Sequence, residues 1–196
     1  MVQSLNFAGI RALWWVIRNP SLARPCESVP DISHVNFDKL KQSGIKCLVF
    51  DKDNCLTAPY ADQAHPTVSK SFQSCVELFG RDNVAIYSNS AGTPDDKDGV
   101  QAKRIESSLG VPVLYHTDKK PAGGESVVQH FSLKSPTQPR QIAFLGDRLL
   151  TDVVFANRNG FYSVHTFRVF TEQGDNFFAL WIRRFENMWL YGKSRP

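Results

Sequence analysis

The sequence predicts an α/β fold: a doubly wound, Rossmann-like parallel sheet of about five strands, with amphipathic helices at the two ends of the chain. Three observations carry this expectation. From Lys46 onward, short apolar runs alternate with longer mixed segments. The runs are mostly continuous rather than alternating, as in parallel strands covered on both faces. Gly80, Gly110 and Gly160 close the intervening stretches, where helix stops belong. With 196 residues, 42% of them hydrophobic and 21% charged, the chain is one ordinary folded domain rather than a disordered tail or a disulfide miniprotein. Burial of roughly 70% of the unfolded surface is expected at this size, so no metal or disulfide is needed merely to fold.

In chain order, LNFAGIRALWWVIR (5–18) reads as a helix with Arg11 and Arg18 on one line and Ile10, Leu13, Trp14 and Ile17 on another. The expected strands are KCLVF (46–50), VAIYS (84–88), VPVLYH (111–116), RQIAFLG (140–146) and FYSVHTF (161–167). Helical stretches are expected at about 66–80, 99–109, 122–134 and 150–159. A last helix places Phe177, Phe178, Trp181, Ile182, Phe185, Met188 and Trp189 within about 140° of arc at ~100° per residue. The ends are basic, +2 over residues 1–30 and +3 over 176–196, and hold all four tryptophans; residues 31–175 carry −1. The expected organisation is therefore an amphipathic membrane-association and targeting segment (1–30), the α/β domain (31–175) and an aromatic, basic C-terminal helix (176–196). Neither terminal apolar run reaches the ~20 residues that span a bilayer. Cys26, Cys47, Cys55 and Cys75 form no CxxC pair and no zinc-ligand spacing, which suits a reducing compartment.

In an open parallel sheet the ligand sits beyond the carboxyl ends of the strands. Four polar segments fall there: DKDNCLT (51–57), SNSAGT (88–93), TDKKP (117–121) and GDRLLTD (146–152). A second Asp-Lys-Asp, residues 96–98, follows no apolar run and reads as a solvated loop. Asp51 and Asp53 are two apart at the end of an extended run, so both carboxylates leave on one side.

In this order the four segments resemble the haloacid dehalogenase (HAD) superfamily of phosphohydrolases over roughly residues 46–167. Within it, DKDNCL, YSNSAGT, the Lys-Pro step and GDRLLTD look like the mitochondrial phosphatidylglycerophosphate phosphatases of the cardiolipin pathway. Asn54-Cys55 departs from the Gly-Thr usual after the second aspartate, which bears on the shape of that loop. The resemblance implies a HAD-like phosphomonoesterase. Asp51 is the expected nucleophile, forming an aspartyl-phosphate, and Asp53 the general acid and base. Two carboxylates facing a phosphate dianion require a hard cation, and Mg2+ suits such oxygen ligands. By resemblance its ligands are Asp51, the Asp53 carbonyl and Asp147, with Asp152 behind them. Ser88 and the Asn89 backbone N–H are expected to bind the phosphoryl group. Lys120, rather than Lys119, is expected to offset its charge. His116 reads as packed rather than catalytic. Lys52, Lys119 and Arg148 flank these segments as candidate cations for a second phosphate, although Lys52 could equally be a solvated charge.

Roughly 34 residues separate Asp53 from Ser88 and 31 separate Ser88 from Lys120, each used up by one strand and helix. That leaves no room for a cap domain, so the site is expected to be open to a phosphate displayed on something large. Basic residues interleaved with tryptophan favour an anionic membrane surface over a nucleic acid. Trp14, Trp15, Arg11, Arg18, Trp181, Arg183, Arg184 and Trp189 are the expected membrane contacts. The competing reading is that these helices cover the core, each other or a second copy in a homo-oligomer. The first 26 residues hold three arginines and no acid, which fits a mitochondrial address. The expected place is the matrix side of the inner membrane, and the expected substrate is the phospholipid phosphatidylglycerophosphate. A capless phosphatase for a phosphoprotein or nucleic-acid end is the alternative; a non-catalytic lipid-binding module ranks below both.

Overall fold

Strand β2 (Cys47–Phe50) is buried along its length, and its side chains divide between two cores: Leu48 and Phe50 face one, Cys47 and Val49 the other. Such a strand is covered by helices on both faces, and β2 lies inside the sheet. The computed structural model describes residues 7–133 and 135–171. Its sheet has five strands, all parallel, in the order β1 (Glu27–Val29), β5 (Tyr162–Thr166), β4 (Ile142–Gly146), β2, β3 (Val84–Ile86). Helices α2 (Phe37–Gln42), α3 (Pro66–Phe79) and α4 (Val100–Leu109) cover the Leu48 face; α5 (Glu125–Ser132) and α6 (Val154–Arg158) cover the Cys47 face.

The helices begin and end where local chemistry dictates. In α3, Pro66 occupies the first turn, where its missing N–H costs nothing, and Val68, Phe72, Cys75 and Phe79 form the buried stripe. Gly80 ends it at φ +84°, a backbone region open to glycine at no steric cost. Asp96 takes the N–H groups of Gly92, Gln101 and Ala102 at 2.9–3.0 Å. The second Asp-Lys-Asp is thus anchored at the start of α4 through its first residue, not a freely solvated loop.

Two expectations about strands change. The stretch 111–116 forms only an isolated bridge, Ile86 with Val113. Pro112 offers no N–H to a ladder, and the Val113 N–H is taken by Glu106 Oε1 at 2.9 Å. The fifth strand is instead β1, inside the stretch read as an N-terminal membrane segment, so the boundary at residue 30 does not hold for residues 27–29. Three residues, ESV, are too short to show a period, and β1 is held by β5. The chain after β5 prolongs the pairing: the N–H groups of Phe167 and Arg168 donate to Val29 and Pro30, and Arg168 Nη1 lies 2.7 Å from Asp31.

Helix α1 (Phe7–Arg18) carries Arg11 and packs Val16 against Ala23 and Val154. Leu13, Trp14 and Ile17 remain exposed, Ile17 to 70%. Trp15, expected at a membrane, turns inward, with the Arg158 guanidinium 3.4 Å from its ring centre. No helix among the described residues is long and apolar enough to cross a membrane. The C-terminal helix expected around Trp181, Arg183, Arg184 and Trp189 lies outside the described residues.

Gly146 ends β4 because nothing larger fits. A Cβ there would stand 2.5 Å from Asp152 Cβ and 2.6 Å from its carboxyl carbon. Gly146→Ala is therefore expected to displace the turn carrying Asp152 and to destabilise the fold by about 1–3 kcal/mol, read as a lower urea midpoint with an unchanged m value.

Candidate active site

The parallel register sets Phe50 beside Leu145, so the residues leaving β2 and β4 emerge side by side. Asp51 donates its backbone N–H to the Leu145 carbonyl at 2.8 Å, continuing the ladder by one residue. Asp147 leaves β4 next to it. The following turn, Leu149–Val153, is wound one residue wider than an α-turn and brings Asp152 back under Gly146. Carboxylate oxygens of Asp51, Asp147 and Asp152 all lie within 4.8 Å of one another.

Lys120 stands against this charge. Its buried ammonium is 2.5 Å from Asp51 Oδ1 and 2.7 Å from Asp152 Oδ1. Burial alone would lower its proton affinity, but Asp152 and Asp51 outweigh burial and hold it well above the ordinary lysine range. Asp51 moves in the opposite sense: burial, with Asp152 and Asp53 adding repulsion, pushes its carboxyl above the usual carboxylate range against the pull of Lys120. One ammonium among these aspartates leaves the centre short of positive charge. Three converging carboxylates, hard oxygen donors in a partly dry site, fit a small divalent cation. Both Asp152 oxygens are engaged, Oδ1 by Lys120 and Oδ2 by the Arg148 backbone N–H at 3.0 Å. Asp152 thereby holds Lys120 and the turn in place.

The loop after β3 supplies the other side. Ser88 is buried, and its Oγ accepts the N–H groups of Ser90 (3.2 Å) and Ala91 (3.4 Å), with Ser90 Oγ at 3.1 Å. Its position is fixed by its own turn, and its hydroxyl has one proton to donate. Asn89 acts through its side chain: Oδ1 accepts the Lys120 backbone N–H at 2.8 Å, tying two loops 31 residues apart. His116 stacks on Tyr87 at 3.9 Å, with Nδ1 2.6 Å from the Asp118 carbonyl and Nε2 2.8 Å from that of Ser88. It is packed, as expected. Arg158 Nη1 donates to the Pro121 carbonyl at 3.1 Å, bracing the Lys120 loop from α6. Neither link has a local sequence signal, since each spans more than thirty residues.

The three flanking cations differ. Lys119 is exposed and pairs with Asp95 at 2.6 Å, while Lys120 alone meets Asp51. Arg148 is half-buried, and its side chain makes no ion pair with the described residues. Lys52 is fully buried and neither solvated nor aimed outward: its ammonium reaches Asp53 Oδ1 (2.6 Å), the Ala61 carbonyl (3.0 Å) and Thr57 Oγ1 (3.3 Å). It cannot meet a second phosphate from there.

A family model described as mitochondrial PGP phosphatase matches residues 7–169. The chain is 41% identical over 191 residues to phosphatidylglycerophosphate phosphatase 1, chloroplastic, of Chlamydomonas reinhardtii, covering 96% of this chain and 69% of that one. It is 39% identical over 201 residues to phosphatidylglycerophosphate phosphatase 1, chloroplastic/mitochondrial, of Arabidopsis thaliana, covering 99% of this chain and 56% of the Arabidopsis protein's length. With phosphatidylglycerophosphatase GEP4, mitochondrial, of Saccharomyces cerevisiae it shares 35% identity over 161 residues, 82% of this chain and 86% of that one. The matched residues run from α1 past the end of β5 and include every aspartate and the lysine assembled above, and the chain belongs to the mitochondrial PGP phosphatase family and is a phosphatase.

Proposed function

We propose that the chain hydrolyses phosphatidylglycerophosphate to phosphatidylglycerol, on the route to cardiolipin, through an aspartyl-phosphate of the HAD type on Asp51. The observation that supports this best is the buried Lys120 ammonium between Asp51 and Asp152, with Asp147 alongside, at the carboxyl end of the sheet. Asp51 attacks phosphorus in line and the bond to the glycerol oxygen breaks. Asp53 gives that oxygen its proton and then takes one from the water that cleaves the aspartyl-phosphate. Lys120 keeps Asp51 oriented and offsets charge on the phosphoryl oxygens, and Ser88 and the Asn89 N–H donate to them. Asp51, Asp147 and the Asp53 carbonyl would hold Mg2+, with Asp152 behind them. When bound, the ion supplies Lewis-acid stabilisation of the phosphoryl charge.

The substrate reading rests on three supports. The relatives named above carry this activity in their names, no cap domain stands between the site segments among the described residues, and α1 presents Leu13, Trp14 and Ile17 outward with the Arg18 guanidinium 3.7 Å over the Trp14 ring. Helix α1 packs on the turn that follows Asp147. An anionic bilayer meeting its outer face lies one helix away from the site, which suits a peripheral enzyme on the matrix side of the inner mitochondrial membrane.

Three outcomes are expected. On phosphatidylglycerophosphate and phosphatidic acid in the same mixed micelles, kcat/KM favours the former by at least about tenfold, ~1.4 kcal/mol of differential binding. Its monoester stands a glycerol and a phosphodiester further from the bilayer. Equal rates would leave a general lipid phosphatase, and a preference for a phosphopeptide or nucleic-acid end would remove the lipid.

Magnesium is expected to raise the thermal midpoint at pH 7–8, by an amount that grows with its concentration. A carboxyl held above its unfolded value favours the protonated fold. Without a cation, Asp51's contribution to stability therefore falls as pH rises from the unfolded value of 3.8 through its folded value of about 6 and is gone by pH 7–8, so the magnesium gain shrinks toward pH 5. Asp147→Asn should abolish the gain; its persistence, or no gain for the wild type at millimolar ion, counts against this site.

Trp14→Ser with Ile17→Ser is expected to weaken binding to vesicles containing anionic lipid and hydrolysis there, while sparing a soluble monoester. Removing residues 7–18 is not equivalent, because Val16 and Trp15 belong to the fold. Equal loss on both substrates from the two surface changes would exclude a membrane role for that face.

A further inference from the structure

Lys52 is a lysine with nowhere to put its charge except on a catalytic carboxylate. Neighbouring residues of an extended segment leave on opposite sides, yet the Lys52 ammonium and Asp53 Oδ1 meet at 2.6 Å. The chain beyond them makes this contact. The N–H groups of Leu56 and Thr57 both donate to the Lys52 carbonyl at 3.0 Å, and that of Asn54 to the Thr57 carbonyl at 2.8 Å. Asn54 and Tyr60 take left-handed backbone angles, φ +59° and +63°, at the two bends. The loop so formed encloses the Lys52 side chain, and Thr57 Oγ1 and the Ala61 carbonyl take the remaining ammonium protons.

Burying an ammonium costs several kcal/mol unless it is paired and hydrogen-bonded. Here all three protons have acceptors, one of them the Asp53 carboxylate. That carboxylate is held unevenly. Oδ1 receives both Lys52 Nζ and the Tyr60 N–H at 3.2 Å, while Oδ2 receives nothing from the described residues on a side chain 40% exposed.

We propose that Lys52 is a positioning residue for the leaving-group step: the enclosed ammonium pins one oxygen of Asp53 so that the other faces the departing alkoxide. The inference rests on the reading of Asp53 as acid and base, and it gives the lysine between the two aspartates a task separate from that of Lys120. Lys120 serves Asp51 and the phosphoryl charge; Lys52 serves proton delivery to the alcohol. Its removal should therefore matter in proportion to how much the leaving group needs that proton.

The test compares two monoesters in four proteins: wild type, Lys52→Met, Asp53→Asn and the double variant. Methionine retains the length of the buried stem without the charge. With phosphatidylglycerophosphate, Lys52→Met is expected to lower kcat about 30- to 100-fold, toward the ~10²-fold reach of general acid catalysis, with KM within about threefold. With p-nitrophenyl phosphate, whose phenolate leaves unaided, the loss should stay under about fivefold. The double variant should be no slower than Asp53→Asn within about threefold, since both changes remove one function. Equal losses on the two esters, or multiplied losses in the double variant, would overturn the proposal by making Lys52 a loop support only. An Asp53→Asn protein that shows no dependence on leaving group overturns the reading of Asp53, and this proposal with it. Should Lys52→Met prevent folding, Lys52→Gln, polar but uncharged, is measured with the same two esters and judged by the same split.

Discussion

The ammonium of Lys120, buried between Asp51 and Asp152, is the contact around which the carboxyl end of this sheet is arranged. Asp51 comes from the end of β2, Asp152 from the turn after β4, and Lys120 from the loop after the stretch 111–116, so one ion-paired centre ties two strand ends to that loop. Losing one partner of such a pair leaves a buried charge uncompensated, a cost of about 3–5 kcal/mol. Much of the surrounding structure holds that geometry. Gly146 leaves room for Asp152, Asn89 holds the Lys120 backbone, and Arg158 braces Pro121.

The lysines show how environment divides labour among identical side chains. Lys119 and Lys120 are neighbours in sequence, yet one pairs with Asp95 in solvent and the other is the buried counter-ion of the centre. The Asn89 side chain takes the Lys120 backbone N–H and so holds the loop where the Lys120 side chain reaches Asp51. Lys52 is the third case, a cation turned inward by its own loop. Spacing in the sequence makes all three look alike, because the distinction lies in contacts 24 to 69 residues away for Lys119 and Lys120, and in a wrapped turn for Lys52.

That contrast accounts for what could be read from the sequence and what could not. Strands β2 to β5 and helices α3 to α6 followed from apolar runs and glycine stops, because their signals are local. The carboxylates Asp51 and Asp147 were legible because polar residues directly after parallel strands have one place to be. Strand β1 was illegible: three residues without a period, paired only by the last strand. The stretch 111–116 misled because its apolar run reports burial, while Pro112 has no N–H with which to carry the pairing beyond the two hydrogen bonds at Ile86. Trp15 misled for a related reason, since an aromatic beside an arginine-rich helix face reads the same whether it meets lipid or the Arg158 guanidinium.

Arg158 has one face on Trp15 and one donor on the Pro121 carbonyl, so α1 and the Lys120 loop share a single side chain. The helix rests on a small satellite core of Val16, Ala23 and Val154, separate from the two large cores flanking the sheet. Small clusters of this kind open at lower free energy than the main core. Lifting α1 would take the Trp15 ring off the side chain that braces Pro121 while the sheet stays intact, so warming should weaken the enzyme in a transition distinct from, and below, the melting of its secondary structure.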